Sequence, residues 1–124
     1  MFKLKRKTLK VNMEIYHNPR CSKSRQALDL LEKSGKEFQI IKYLENPLTK
    51  NQLTEIITLL NIKPIDLVRK NEVIWKENYK GKSLSDKEVI TAMIENPKLI
   101  ERPIVINNQK AAIGRPLENI QQIL

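Results

Sequence analysis

Cys21 is the one cysteine in 124 residues, and it sits among His17, Arg20, Lys23 and Arg25. A thiol becomes a nucleophile when it loses its proton, and nearby positive charge favours that loss. The segment around it reads as strand, turn, helix. Residues 14–17 alternate as a short strand and Asn18-Pro19 breaks it. Residues 22–34 then carry Ala27, Leu28, Leu30 and Leu31 close to a helical stripe. Cys21 therefore falls at a helix N-terminus, where free N–H groups and the helix dipole stabilise a thiolate and can hold an oxyanion. This context predicts a Cys21 pKa below that of a free thiol. The alternative is an inert, buried cysteine that packs as a small hydrophobe.

The run Cys21-Ser22-Lys23-Ser24 places a serine where a dithiol oxidoreductase carries its second cysteine. One cysteine allows neither an internal disulfide nor a multi-cysteine zinc site. One His and one Cys are too few soft ligands for a transition metal, so no metal and no bound cofactor is expected. Oxidised Cys21 must then be reduced by an external thiol such as glutathione or a glutaredoxin. A lone free thiol suits a reducing compartment, here the cytoplasm.

Three arginines stand where elements end. Arg69 closes a short helix, Arg102 directly precedes a strand, and Arg115 lies in the loop before the last helix. Guanidinium forks match tetrahedral oxyanions. Taken singly, each also reads as a solvated surface charge. His17 reads either as a catalytic aid or as a turn residue.

The elements that must position these groups follow from local signals. After the Cys21 helix, Gly35 sits where a C-cap residue belongs, and residues 38–43 form a second strand, at least half buried. Thr49 caps a helix through Leu60. Pro64 opens a short helix that ends near Arg69, and residues 72–80 form an amphipathic helix. Ser85 and Glu88 make a capping box for a helix that Asn96-Pro97 ends. Residues 103–106 form a buried strand, Asn107-Asn108 a hairpin turn, and residues 110–113 the returning strand. Residues 117–124 form a final helix. The order is β-α-β, a helical block, then β-β-α. The first unit implies a parallel strand pair, and the hairpin adds antiparallel strands. A mixed four-stranded α/β sheet covered by helices is expected.

Hydrophobic residues make up 40% and charged residues 30%, enough for one globular domain, expected over residues 13–124. The net charge of +9 is uneven. Residues 1–12 carry Lys3, Lys5, Arg6, Lys7 and Lys10 with no acid. This basic N-terminal extension is expected to be disordered and to be an appended or upstream-translated segment, with Met13 a natural start. A basic tail can bind nucleic acid or anionic lipid, but no aromatic or helix-turn-helix element supports nucleic-acid binding. The tail has no apolar core of a secretory signal. No run of 18 apolar residues exists, so no membrane helix is expected.

The assembled residues resemble a known family. His17-Asn18-Pro19-Arg20-Cys21-Ser22-Lys23-Ser24-Arg25 is similar to the His-x3-Cys-x3-Arg signature of glutaredoxin-coupled arsenate reductases. Tyr43-Leu44-Glu45-Asn46-Pro47, Val68-Arg69-Lys70, the stretch from Asn96 to Val105, and Gly114-Arg115-Pro116 resemble further segments of that family, in the same order. The chain ends soon after the last helix and carries Arg20 in place of a small residue, both of which resemble the short chromosomal subgroup.

The resemblance implies a thioredoxin-like fold with a helical insertion. It implies Cys21, His17 and Arg25 as catalytic residues, and Arg69, Arg102 and Arg115 as the binding site for arsenate or a similar oxyanion. It also implies a cis Arg102–Pro103 bond. The reaction would pass through a Cys21–arsenate thioester, with glutathione as co-substrate, glutaredoxin as partner and arsenical resistance as the role. Two alternatives stay open. One is a monothiol reductase of another oxyanion or of a glutathionylated substrate. The other is a non-enzymatic RNA polymerase-binding regulator of the same fold, against which Ser24 speaks.

Overall fold

The computed structural model describes residues 12–124. Four strands form one sheet in the order β2-β1-β3-β4. Strand β1 (Met13–Tyr16) pairs parallel with β2 (Gln39–Ile41) and antiparallel with β3 (Ile104–Asn107), and β3 pairs antiparallel with β4 (Lys110–Ile113). Helix α1 (Ser22–Lys33) makes the crossover between the parallel strands. Helices α2 (Lys50–Leu60), α3 (Val73–Asn78) and α4 (Asp86–Glu95) follow β2, with 3-10 turns at Pro64–Leu67 and Pro97–Leu99. Helix α5 (Glu118–Gln121) follows β4. This is the expected mixed four-stranded α/β sheet, in a thioredoxin-like fold.

The pleat sends alternate side chains to opposite faces. Met13, Ile15, Val105 and Ala112 pack with Ala27 and Leu31 of α1 and Ile120 of α5. Tyr16, Ile104 and Ile106 face the other way, against Leu53, Ile56 and Ile57 of α2 and Val89, Ala92 and Met93 of α4. Each central strand thus packs side chains on both faces of the sheet, with Glu14 of β1 only partly buried.

The caps follow the sequence. Thr49 with Gln52 and Ser85 with Glu88 both form reciprocal capping boxes. Gly35 takes φ +75 just past α1. Three expectations are corrected in detail. The second strand covers three residues rather than 38–43, and Gln39 and Ile40 are exposed, because among the described residues β2 is the sheet edge with no strand beyond it. The hairpin turns one residue later than expected, since Asn107 still pairs with Lys110 and Asn108 takes the left-handed φ of 59. The last helix is four residues long rather than eight. The basic extension lies outside the described residues except Asn12, whose carbonyl accepts the Asn108 N–H at 2.9 Å.

Candidate active site

Every strand delivers a residue to one edge of the sheet. β1 runs into the Cys21 loop, and its parallel partner β2 runs into Tyr43. β3 starts at this edge, just after Arg102, and β4 ends there, just before Arg115. Carboxyl ends of strands are where α/β sheets hold ligands. Arg69 arrives from the helical block by backbone pairing. Val68 and Ile100 form an isolated bridge, the Arg69 N–H donates to Leu99 O at 2.7 Å, and the Glu101 N–H donates to Leu67 O at 2.8 Å.

The loop that holds the sulfur is tightly bonded. The Cys21 N–H donates to Asn18 O at 3.0 Å, the Arg20 N–H to Asn18 Oδ1 at 3.0 Å, and the Asn18 N–H to Ser24 Oγ at 3.0 Å. Cys21 is the N-cap of α1, with extended φ and ψ and partial exposure. Partial burial pushes its pKa up. The Ser24 N–H, the Arg102 guanidinium and the Lys23 N–H together outweigh that and hold the thiol below its ordinary value. The expected thiolate character therefore holds, and helix N-terminal N–H groups contribute to it as expected, but the cation does not come from the loop. The cation responsible is Arg102, from a distant part of the chain.

The neighbouring cations do other work. His17 is buried, its Nδ1 lies 2.6 Å from Ser24 Oγ, and burial first, then Lys42 and Arg25, push its pKa down. It is a neutral imidazole at pH 7 and adds no charge for the thiolate. Arg25 donates from Nη1 to Pro19 O at 2.9 Å and so braces the loop. Ser24, fully buried, ties His17 to Asn18.

The three arginines of the sequence reading converge. Arg115 Nη2 lies 3.6 Å from Cys21 Sγ, and its Nε donates to Arg102 O at 2.7 Å. Arg69 pairs with Glu72 at 2.7 Å. Glu101 joins the set, with one carboxylate oxygen 3.6 Å from both Arg69 Nε and Arg115 Nε. Sequence reasoning passed over Glu101, although it adjoins Arg102. It also passed over Tyr43 as a site residue, although that tyrosine lies just past the end of β2, which runs parallel to β1. The Arg102–Pro103 bond is cis, as the resemblance implied, and Arg115–Pro116 is cis as well.

The cluster presents an activated sulfur beside guanidinium groups, an arrangement able to bind an oxyanion and attack its central atom. Among the described residues no group of three His, Cys, Asp or Glu side chains is placed to hold a metal. No helix there is long and apolar enough to cross a membrane.

Comparison with known proteins agrees with this geometry. The chain is 46% identical over 114 residues to the uncharacterized protein YfgD of Escherichia coli (strain K12), covering 90% of this chain and 96% of that one. It is 44% identical over 112 residues to the arsenate reductase of Haemophilus influenzae, covering 89% of this chain and 97% of that one. The solved structure of an arsenate reductase from Vibrio cholerae superposes with a TM-score of 0.86 at 46% identity, covering 90% of this chain and 97% of the other. The sequence profile of the ArsC family matches residues 16–123, and the chain belongs to the ArsC family.

Proposed function

We propose that this protein reduces arsenate to arsenite at Cys21, with glutathione as reductant and glutaredoxin as the partner that restores the enzyme. The observation that carries the reading is the contact between Arg115 Nη2 and Cys21 Sγ at 3.6 Å, with Arg102 beside the same sulfur. Relatives named arsenate reductase, at 41% to 46% identity, support it.

In this reading Arg69, Arg102 and Arg115 bind the oxyanion. The Cys21 thiolate attacks arsenic, an As–S bond forms, and one oxygen leaves as water after protonation. The glutathione thiolate then attacks the Cys21 sulfur. The As–S bond breaks, its electron pair stays on arsenic, and arsenite departs. A Cys21–glutathione disulfide remains, and glutaredoxin exchanges it away. The chain's single cysteine supports an external thiol as the source of the second sulfur. The reading places the reaction in the cytoplasm, where thiols stay reduced.

One observation favours a second substrate class. Glu101 and Glu72 already occupy parts of Arg69 and Arg115, so the site carries less net positive charge than three free arginines. An oxyanion of lower charge, or a glutathionylated substrate, fits that balance. An assay of the purified protein with arsenate, glutathione and glutaredoxin separates the two. Arsenite production that needs all three and vanishes in Cys21→Ser supports arsenate reduction. No arsenite from the wild-type protein refutes it.

A further inference from the structure

Two buried side-chain atoms have no hydrogen-bond partner among the described residues: the Tyr43 hydroxyl and Arg102 Nε. Tyr43 is 1% exposed. A buried donor without an acceptor is costly, and native structures rarely keep one without a reason. Both orphans lie at the same edge of the sheet. Tyr43 leaves β2 where the parallel strand β1 leads into Cys21, and Arg102 enters β3 there.

The charges that reach the Tyr43 hydroxyl are those of Arg102, Cys21 and Arg69, and the Arg102 side chain lies close enough to act on it as a donor, although the pair does not reach hydrogen-bond geometry. Burial, the largest effect, pushes its pKa up, and the Cys21 thiolate adds to that against the arginines. Tyr43 therefore stays a protonated phenol at neutral pH and keeps a proton to donate. Arg102 Nε can only donate. What the two groups lack is an acceptor rich in lone pairs, placed beside the Cys21 sulfur.

We propose that Tyr43 is a fourth binding side chain for the oxyanion, its hydroxyl donating to an anion oxygen while Arg102 Nε donates to the same anion. The inference rests on the reading that the Cys21 site takes an oxyanion, and it adds a neutral donor to a set of arginines. The rival account is that Tyr43 is packing alone. Its ring belongs to the main core cluster with Leu48, Leu53 and Leu99. Tyr43→Phe keeps that ring and removes only the oxygen, so it separates the two.

The test uses the full chain and inorganic arsenate without glutathione. Arsenate bound beside Cys21 should protect the sulfur from iodoacetamide. Tyr43→Phe should raise the arsenate concentration for half protection by about tenfold, as loss of one hydrogen bond to a charged acceptor does. Its melting temperature without arsenate should stay close to that of the wild type, because the deleted hydroxyl makes no well-formed hydrogen bond in the anion-free protein. Equal protection in both proteins overturns the proposal. So does a clear drop in anion-free melting temperature, or failure of the variant to fold, since either shows that the hydroxyl is already bonded. Full turnover with arsenate and equal protection in the variant removes Tyr43 and leaves the activity standing. Absent turnover, with protection that Tyr43→Phe weakens, removes the activity and leaves Tyr43 standing. A wild-type protein that arsenate never protects removes both.

Discussion

Glu101 Oε1 lies 3.6 Å from Arg115 Nε, and the same oxygen lies 3.6 Å from Arg69 Nε. One carboxylate thus lies in ionic contact with two guanidinium groups, while the Arg115 Nε–H goes to Arg102 O and an outer nitrogen of Arg115 faces Cys21 Sγ. Its value is orientation, because partly exposed ion pairs add little stability. Glu101→Gln should cost under about 1 kcal/mol in unfolding free energy. It should raise the KM for arsenate about tenfold, since misplaced binding groups lose much of their effect. Steady-state kinetics beside a denaturant melt measures both. An unchanged KM would make Glu101 a bystander.

The thiolate is held by the Ser24 N–H at the start of its own helix and by the Arg102 guanidinium from a distant part of the chain. Arg102→Gln should raise the apparent pKa of Cys21, read as iodoacetamide labelling rate against pH. His17→Gln should leave it nearly unchanged, because His17 is neutral. The sign follows from the depressed pKa: the thiolate fraction grows as pH rises through the folded value, so reactivity falls below it. Arg102→Lys keeps the charge but loses the planar fork, and should lower kcat/KM about tenfold or more. A larger pKa shift in His17→Gln than in Arg102→Gln would reverse the assignment.

His17 makes the fold sensitive to acid. Its folded pKa is lowered, so below the unfolded value of 6.5 the unfolded chain binds a proton that the native imidazole refuses. Stability should be level above that pH, fall as pH drops below it, and stop falling once pH passes the folded value. Melting temperature against pH would show this limb. His17→Gln should flatten it while lowering the whole curve, because the bond to Ser24 Oγ is lost. A limb that survives unchanged in the variant would assign it to other groups.

Gly114 lets the Arg102 loop sit close. A Cβ there would lie 2.6 Å from Ile120 Cδ1 and 2.8 Å from Pro103 Cγ, and the Gly114 N–H donates to Pro103 O at 2.8 Å. The isoleucine tip can move, but the proline ring has little room. Gly114→Ala should destabilise the protein by about 1–3 kcal/mol, the usual range for overpacking, and should slow Cys21 alkylation by moving Arg102. A melt and a labelling rate equal to wild type would show that the loop yields freely.

The Cys21 loop was readable from sequence because its physics is local. A strand, an Asn-Pro turn and a helical stripe suffice to put the sulfur at a helix N-terminus. Arg69, Arg102 and Arg115 were readable as candidates from their places at element ends. Their convergence depends on β3 running antiparallel to β1 and on the Val68–Ile100 bridge, and no spacing rule encodes either. Glu101 escaped notice because neighbouring residues give no hint of which long side chains fold back on one another. Tyr43 read as a strand-end aromatic that opens a family-like segment, with no role assigned, and its buried hydroxyl without a well-formed partner marks it out. His17, Arg20, Lys23 and Arg25 misled in the opposite way. They are close in sequence to Cys21, yet the guanidinium that lowers its pKa is that of Arg102, while His17 is neutral and Arg25 points to Pro19 O.

The central claim is that Cys21 alone attacks the oxyanion and that an external thiol completes the reduction. Intact-mass spectrometry of protein incubated with arsenate and glutathione, without glutaredoxin, tests it most directly. The account predicts one added glutathione on the wild-type chain, dependent on arsenate, and none on Cys21→Ser. Continuous arsenite production with thioredoxin alone and no adduct at any time, or a Cys21–Cys21 dimer in place of the adduct, would contradict it.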